Sequence, residues 1–166
     1  MEEVIENVIL DLDLVLFDSV DWVKKTCPCC DNDSYLNREA WDMHHAHADM
    51  VKVNYDFIKY LQNWVNNGLR RIFFITSRED INNMRKITEV QLKNLLYHVD
   101  NVDKLEMKLY MRNALDYRPA PDIKRETLEQ HIFPYYYIDL AVDDSLCNCE
   151  VYRDYNIPVW QYDKYR

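Results

Sequence analysis

Residues 8–13 read Val-Ile-Leu-Asp-Leu-Asp, an apolar run followed by two aspartates one residue apart. The run from Val8 to Leu10 has the length and composition of a buried parallel strand. Because side chains alternate along an extended chain, Asp11 and Asp13 are expected on the same side, at the carboxyl end of that strand. Neighbouring carboxylates repel each other unless a cation or a shared proton offsets their charge. Taken alone, such a pair is also typical of the start of a solvated loop.

The rest of the chain alternates between apolar runs and segments with helical spacing. This alternation predicts an α/β fold with a doubly wound parallel sheet, whose ligands bind at the carboxyl ends of the strands. The single glycine, Gly68, is expected to end the first helix in a left-handed conformation. The further predicted strands are 72–75, 105–111, 138–142 and 157–162, and the predicted helices are 55–67, 79–96, 122–131 and 145–154.

The segment 17–54 interrupts this alternation. It is polar and rich in Asp, His and Cys, with a predicted helix over 36–47. We interpret it as a small cap or insertion that follows the first strand, and the whole chain, 1–166, as a single domain. Its cysteines and histidines are candidate zinc ligands, but their spacing does not match a standard zinc ribbon or knuckle. The favoured interpretation places these residues on the cap, with Tyr35, Trp41 and the histidines shaping the leaving-group pocket. The cysteines and histidines are Cys27, Cys29, Cys30, His44, His45 and His47.

Composition excludes several classes of function. The formal net charge is −9, from 29 acidic and 20 basic residues, so no extended contact with a nucleic-acid duplex is expected. No apolar run approaches the length of a membrane helix, and the acidic start does not resemble a signal peptide. Five cysteines, an odd number, indicate reduced thiols and a cytoplasmic protein. Abundant Asn, Asp and Tyr are typical of AT-rich coding DNA, as in viral or AT-rich bacterial sources.

Two more polar clusters follow predicted strands. Thr76-Ser77-Arg78 comes directly after the run 72–75, where a hydroxyl either binds a phosphate oxygen or caps a following helix. Asp143-Asp144 comes directly after the run 138–142, which gives a second acidic pair at the end of a second strand. Magnesium in proteins takes one or two carboxylates together with phosphate oxygens and water. The acidic pairs therefore indicate a magnesium site at one edge of the sheet.

Lys124 lies near the start of the predicted helix 122–131. An ammonium group near a helix N-terminus favours a bound phosphate, although a surface lysine is the alternative interpretation. The order along the chain is an Asp-x-Asp pair, an apolar run ending in Thr, a lysine and an Asp-Asp pair. This order resembles the four motifs of the haloacid-dehalogenase superfamily, and the resemblance extends from Val8 to about Tyr162.

Within that superfamily, the second half of the chain is similar to the 3′-phosphatase domain of phage-type polynucleotide kinases. The residues that carry this likeness are Met111-Arg112, Asp116, Arg118, Asp122-Ile123-Lys124, His131-Ile132-Phe133-Pro134, 140–144 and 157–161.

The resemblance implies a Mg²⁺-dependent phosphatase. Asp11 would attack phosphorus and form an aspartyl-phosphate. Asp13 would protonate the leaving oxygen and then take a proton from the hydrolytic water, and the neighbouring Asp11 charge is expected to raise the pKa of Asp13. Thr76 and Lys124 would hold the transferring phosphoryl oxygens.

The remaining implied roles concern the metal and the substrate. The Mg²⁺ ligands would be Asp11, the main-chain carbonyl of Asp13, and Asp144, with Asp143 as a ligand or a supporting residue. Candidates for binding the substrate phosphate are Ser77, Arg78 and Arg112. Structural pairing with Asp116 is an open alternative for the arginines.

The chain departs from the superfamily pattern after the first acidic pair. Leu14-Val15 stands where Gly-Thr is usual, and a glycine at the first of these positions eases a tight turn. Ser77 replaces another common glycine.

Three functions stay open on the sequence. The favoured one is a phosphatase for a polynucleotide 3′-phosphate end or a nucleotide. The first alternative is a 5′(3′)-nucleotidase or a phosphatase for a small metabolite, which the acidic charge would suit. The second alternative is a non-catalytic binding module that kept the fold. Leu14 is the only feature of the sequence that argues for it.

Overall fold

Parallel strands form the centre of the fold. A computed structural model of the chain describes residues 4–19 and 51–164. A five-stranded sheet and a separate two-stranded ribbon lie within these residues. The sheet contains β1 (Asn7–Leu10), β4 (Arg71–Glu79), β5 (Glu106–Arg112), β6 (Leu140–Asp143) and β7 (Val159–Gln161), and the ribbon pairs β2 (Phe17–Asp18) with β3 (Lys52–Val53).

The strand order is β5-β4-β1-β6-β7, and every pairing in the sheet is parallel. The chain moves outward from β1 through β4 to β5, and then crosses to the other side of β1 for β6 and β7. The strand order therefore reverses at β1, and in such sheets the crevice for a ligand opens at the carboxyl ends beside that point. The predicted α/β parallel sheet is confirmed.

Helices cover both faces of the sheet, because alternate strand residues point in opposite directions. On one face Val8 and Leu10 belong to a core that includes helix α1 (Tyr55–Asn66) and helix α2 (Met84–Leu96). On the other face Ile9 packs in a second core. That second core includes α4 (Leu146–Asp154) and the π-helical turn Leu128–Ile132, which continues α3 (Ala120–Thr127). The fold is therefore doubly wound.

One predicted boundary is wrong. The sequence places a helix over 79–96, but β4 extends to Glu79 and α2 begins at Met84. The reason is tertiary: β4 continues to pair with β5 beyond Thr76, and the register shifts between Thr76 and Glu79 in a bulge. The other elements lie within a few residues of their predicted positions, and Gly68 has the expected positive φ, at 111°.

The segment 17–54 falls mostly outside the described residues. Its two described ends form the β2–β3 ribbon. Its interpretation as a cap, the predicted helix 36–47 and the Cys/His cluster lie outside the described part of the chain and stay predictions. Within the described part, no helix combines the length and the apolar character needed to cross a bilayer.

Candidate active site

Lys124 lies at the centre of the candidate site. Its side chain is 1% exposed, and α3 carries it toward the carboxyl ends of β1 and β6. Lys124 Nζ donates to Asp11 Oδ1 at 2.7 Å, to Asp143 Oδ2 at 2.5 Å and to the main-chain oxygen of Ile75 at 3.2 Å. An ammonium group has three hydrogens, so these acceptors satisfy it fully. The first and fourth predicted motifs are thus joined through the predicted lysine.

Carboxylates outnumber cations in this cluster. Oxygen atoms of Asp11, Asp143 and Asp144 all lie within 4.8 Å of one another, and these side chains are buried. Lys124 balances one of their charges when all are ionised. Oxygen donors at this spacing suit a hard divalent cation, which would balance the remaining charge. The residues therefore fit Mg²⁺.

Burial and neighbouring charges together set the pKa values of Asp11 and Lys124. Burial raises the pKa of Asp11 well above 3.8; Lys124 opposes this effect, and Asp143 and Asp144 add to it. Burial alone would lower the pKa of Lys124, but the carboxylates of Asp11 and Asp143 outweigh it and raise that pKa well above 10.5. Lys124 is consequently a fixed cation, and the charge of Asp11 is costly without a further cation beside it.

Asp143 is held from two sides. Its Oδ1 accepts hydrogen bonds from the main-chain N–H of Ser145 at 3.0 Å and from Asn148 Nδ2 at 3.1 Å. Its Oδ2 accepts the bond from Lys124. Since both oxygens are already engaged, the orientation of Asp143 is defined by the start of α4.

Asp13 lies beside Arg78 rather than beside Lys124. Arg78 Nε and Nη2 donate to the two carboxylate oxygens of Asp13 at 2.9 and 2.8 Å. Arg78 is 1% exposed and also donates to Thr88 Oγ1 and to Gln91 Oε1, while its guanidinium lies over the ring of Phe17. Two parallel hydrogen bonds between a guanidinium and a carboxylate fix the orientation of both groups. Arg78 is buried and orients Asp13, and its role as a candidate ligand of the substrate phosphate stays a prediction.

The predicted hydroxyl cluster lies in the bulge at the end of β4. Thr76 is 2% exposed, and its Oγ1 accepts a hydrogen bond from the main-chain N–H of Arg78 at 3.2 Å. Ser77 is half-buried. Bulges redirect side chains at strand ends, and here the bulge lies next to Ile75, whose carbonyl binds Lys124.

Arg112 contacts main-chain atoms. It is 0% exposed and donates to the carbonyl oxygens of Ser77 at 3.1 Å, Asp116 at 3.0 Å and Arg118 at 2.5 Å. The carboxylate of Asp116 is bound by Arg118. This geometry favours a structural role for Arg112, which the sequence left open beside substrate binding.

Leu14 adopts a conformation that favours glycine. Its φ is 64°, in the left-handed region, and its N–H donates to the carbonyl of Phe17 at 2.8 Å. The turn after Asp13 therefore has the tight geometry for which the superfamily usually has glycine at this position. The chain makes this turn with a leucine that is only 9% exposed.

Comparison with known proteins agrees with the fold. A family model of the polynucleotide kinase PNKP phosphatase domain matches residues 30–165. The chain belongs to this family. It is therefore a phosphatase of the haloacid-dehalogenase type, as the sequence predicted. The matched range includes Thr76, Lys124 and the Asp143-Asp144 pair, while Asp11 and Asp13 precede it.

Two solved structures resemble this PNKP-type phosphatase domain in fold. One is described as the Pnkp1/Rnl/Hen1 RNA repair complex; it shares 22% identity at a TM-score of 0.63, over 97% of this chain and 43% of that chain. The other, a Pnkp1/Rnl/Hen1 complex, shares 24% identity at a TM-score of 0.66, over 96% and 45%. The chain thus spans less than half the length of these chains. A comparison with curated proteins finds no match.

Several residues that support the site of this PNKP-type domain were missed in the sequence. Asn148 orients Asp143, and Thr88 and Gln91 orient Arg78. Thr88 and Gln91 are three residues apart on α2, so their helical spacing placed them on one face. Nothing in the sequence alone indicated that this face meets Arg78.

Proposed function

We propose that the chain is a Mg²⁺-dependent phosphomonoesterase that forms an aspartyl-phosphate and acts on a polynucleotide 3′-phosphate end or on a nucleotide. The observation that carries this proposal is the convergence of Asp11, Asp143 and Asp144 around Lys124 at the carboxyl ends of the strands. Such a concentration of buried carboxylates is costly for stability and suits a site that binds a cation and an anionic ester.

Asp11 is the proposed nucleophile. A carboxylate oxygen of Asp11 would attack phosphorus in line, and the bond from phosphorus to the leaving oxygen would break. Lys124 holds Asp11 Oδ1 and offers positive charge to the transferring phosphoryl oxygens. Thr76, at the end of β4, would add a hydroxyl donor to the same oxygens.

Asp13 is the proposed general acid and base. In the first step it would give a proton to the leaving oxygen, and in the second it would take one from the water that hydrolyses the aspartyl-phosphate. Arg78 donates to both oxygens of Asp13, a contact that suits the carboxylate form required by the second step. The first step requires one oxygen of Asp13 to leave Arg78 and carry a proton.

Asp11, Asp144 and the main-chain carbonyl of Asp13 are the proposed ligands of Mg²⁺, and Asp143 supports them. When bound, Mg²⁺ would reduce the repulsion between an anionic nucleophile and an anionic phosphate. The oxygen-only donor set supports this assignment over softer metals.

Membership of the PNKP phosphatase domain family supports a nucleic-acid end as the substrate. The net charge of −9 favours recognition of a single terminal nucleotide over contacts along a duplex. The alternative is a 5′(3′)-nucleotidase or a phosphatase for a small metabolite, which the same charge would suit. We place the reaction in the cytoplasm, in keeping with reduced cysteines.

A panel of esters tests the proposal. Phosphate release would be measured with Mg²⁺ and with EDTA from a 3′-phosphorylated oligonucleotide, 3′- and 5′-mononucleotides and p-nitrophenyl phosphate. We expect Mg²⁺-dependent release with the oligonucleotide preferred. A preference for mononucleotides would support the nucleotidase alternative.

The matched variants are Asp11→Asn and, as a control, Asp103→Asn at an exposed position. Asp11→Asn should lower kcat by several orders of magnitude, while Asp103→Asn should keep the activity of the unsubstituted chain. No release from any ester by a folded, Mg²⁺-loaded chain would overturn the proposal and favour the binding-module alternative.

A further inference from the structure

Residues 113–119 connect β5 to α3. They follow the carboxyl end of β5, at the same end of the sheet as the candidate site. We call this connection the rim loop. Arg112, directly before it, is bonded to the carbonyl of Ser77 in the bulge of β4, and Lys124 lies on the helix directly after it. The rim loop exposes two large side chains, Leu115 at 65% and Tyr117 at 51%. Apolar surface beside an active site is often used for binding.

Two buried charged residues fix the backbone of the rim loop. Arg112 binds the carbonyls of Asp116 and Arg118, and Glu79 accepts a hydrogen bond from the N–H of Leu115 at 2.5 Å. Arg112 and Glu79 are 0% and 1% exposed. Their charges are therefore engaged in holding a surface loop in one shape. The same Arg112 also donates to the carbonyl of Ser77, so one guanidinium joins the rim loop to the bulge of β4.

Leu115 is strained. Its φ is 61°, in the left-handed region that a leucine rarely adopts. The bond to Glu79 holds it there, and the side chain faces solvent instead of a core. Strain that surrounding residues maintain, with no gain in core packing, is typical of positions that contact a ligand.

We propose that the rim loop recognises the terminal nucleoside of a 3′-phosphorylated strand, with Tyr117 stacking on its base and Leu115 adding apolar contact. This inference rests on the proposed function, because the phosphate of that nucleotide would lie at Asp11. A rigid aromatic surface gives base contact without reading sequence, as in other proteins that bind single strands. It also requires no row of basic residues, which agrees with a net charge of −9.

The test compares two esters in one variant. Tyr117→Ala would be assayed with a 3′-phosphorylated oligonucleotide and with p-nitrophenyl phosphate, which has no nucleoside. We expect KM for the oligonucleotide to rise about tenfold, the usual effect of losing one stacked base. The ratio of kcat/KM for the oligonucleotide to that for p-nitrophenyl phosphate should fall by the same factor.

Tyr137→Ala is the matched control. Tyr137 is 74% exposed, but it precedes the amino end of β6, whereas the site lies at the carboxyl ends of the strands. This variant should therefore keep the ratio of the unsubstituted chain. Leu115→Ala should lower the ratio less than Tyr117→Ala, because it removes apolar contact without an aromatic face.

An unchanged ratio in Tyr117→Ala would overturn the inference. An equal loss of activity on both esters would also overturn it, because it would indicate that the rim loop supports folding or the reaction itself rather than nucleoside binding. An unsubstituted chain that hydrolyses p-nitrophenyl phosphate but no 3′-phosphorylated strand would also overturn it, while leaving the phosphatase chemistry intact. Failure of the proposed function shows separately, as no release from either ester by the unsubstituted chain.

Discussion

Leu14 shows how one residue can carry opposing energetic terms. Its left-handed backbone, with φ at 64°, costs a non-glycine residue roughly 1–2 kcal/mol. Its side chain is 9% exposed, and burying a leucine contributes about 1.5–3 kcal/mol. Burial therefore offsets the strain, which explains how this chain makes the turn after Asp13 without the usual glycine.

The strain at Leu14 can be isolated with two truncations. Leu14→Ala and Leu14→Gly both remove the buried side chain, but only glycine accepts the positive φ without strain. We expect Leu14→Gly to be more stable than Leu14→Ala by about 1 kcal/mol in the free energy of unfolding, measured by urea denaturation.

Leu16 provides the control, because it is fully buried in the same loop and has no positive φ. There the order should reverse, with Ala more stable than Gly by about 0.5–1 kcal/mol. The same order at both positions would contradict the assignment of strain to Leu14.

At the scale of elements, Asn54 connects helix α1 to the loop that follows Asp13. Asn54 precedes α1, and its side chain makes no capping bond there. Asn54 Nδ2 donates instead to the carbonyl of Val15 at 2.7 Å and to Tyr162 Oη at 2.8 Å, and its N–H donates to the carbonyl of Leu16. The loop after Asp13 is thus held by a residue about forty positions away in sequence.

Asn54→Ala should affect both stability and activity. It leaves the buried carbonyl of Val15 without its donor, and we expect the free energy of unfolding to fall by about 1–3 kcal/mol in urea denaturation. We also expect kcat for p-nitrophenyl phosphate to fall, because the loop carrying Asp13 loses its anchor.

Asn67→Ala is a suitable control for Asn54→Ala, since Asn67 is exposed and bonds only within its own helix end in the contacts described. Its effect should stay within about 0.5 kcal/mol. Equal effects of the two substitutions would contradict the anchoring role of Asn54.

The elements that the sequence predicted are those with a local signal. Apolar runs of three and four residues predicted β1 and β4, and the aspartates after β1 and at the end of β6 indicated the site. The bulge at Ser77-Arg78 was missed because Thr-Ser-Arg-Glu is equally compatible with the start of a helix. Pairing with β5, which no local pattern reports, determines its conformation.

The roles of the arginines were left open for the same physical reason. A buried arginine and a substrate-binding arginine look alike in a sequence, and only the folded contacts distinguish them. Arg78 binds Asp13, and Arg112 binds main-chain carbonyls brought together by three different segments. Lys124 was easier to predict because its motif position, in the family that it resembles, already linked it to the acidic pairs.

At the scale of the whole molecule, the site lowers the stability of the fold in the absence of metal. Burial raises the pKa of Asp11 above its ordinary value of 3.8. Between that ordinary value and the raised one, the folded chain binds a proton that the unfolded chain has released. Stability therefore decreases as pH rises through this interval, and the loss is complete above it.

Asp11→Asn should remove this loss. In EDTA near neutral pH we expect the variant to unfold roughly 2–5 °C above the unsubstituted chain, as measured by thermal denaturation, with the difference vanishing below pH 3.8. Adding Mg²⁺ should stabilise the unsubstituted chain and have less effect on Asp11→Asn. A variant that is less stable than the unsubstituted chain in EDTA would contradict the electrostatic cost assigned to Asp11.

The most direct test of the central claim, that Asp11 is the nucleophile, is to trap the phosphorylated protein. A single turnover with a radiolabelled 3′-phosphorylated oligonucleotide and Mg²⁺ would be quenched in acid, and the labelled peptide would be identified by mass spectrometry. We predict label on the peptide that contains Asp11, at higher occupancy in Asp13→Asn, where the second step is slowed. Release of phosphate with no labelled protein at any quench time, or label on another residue, would contradict the account.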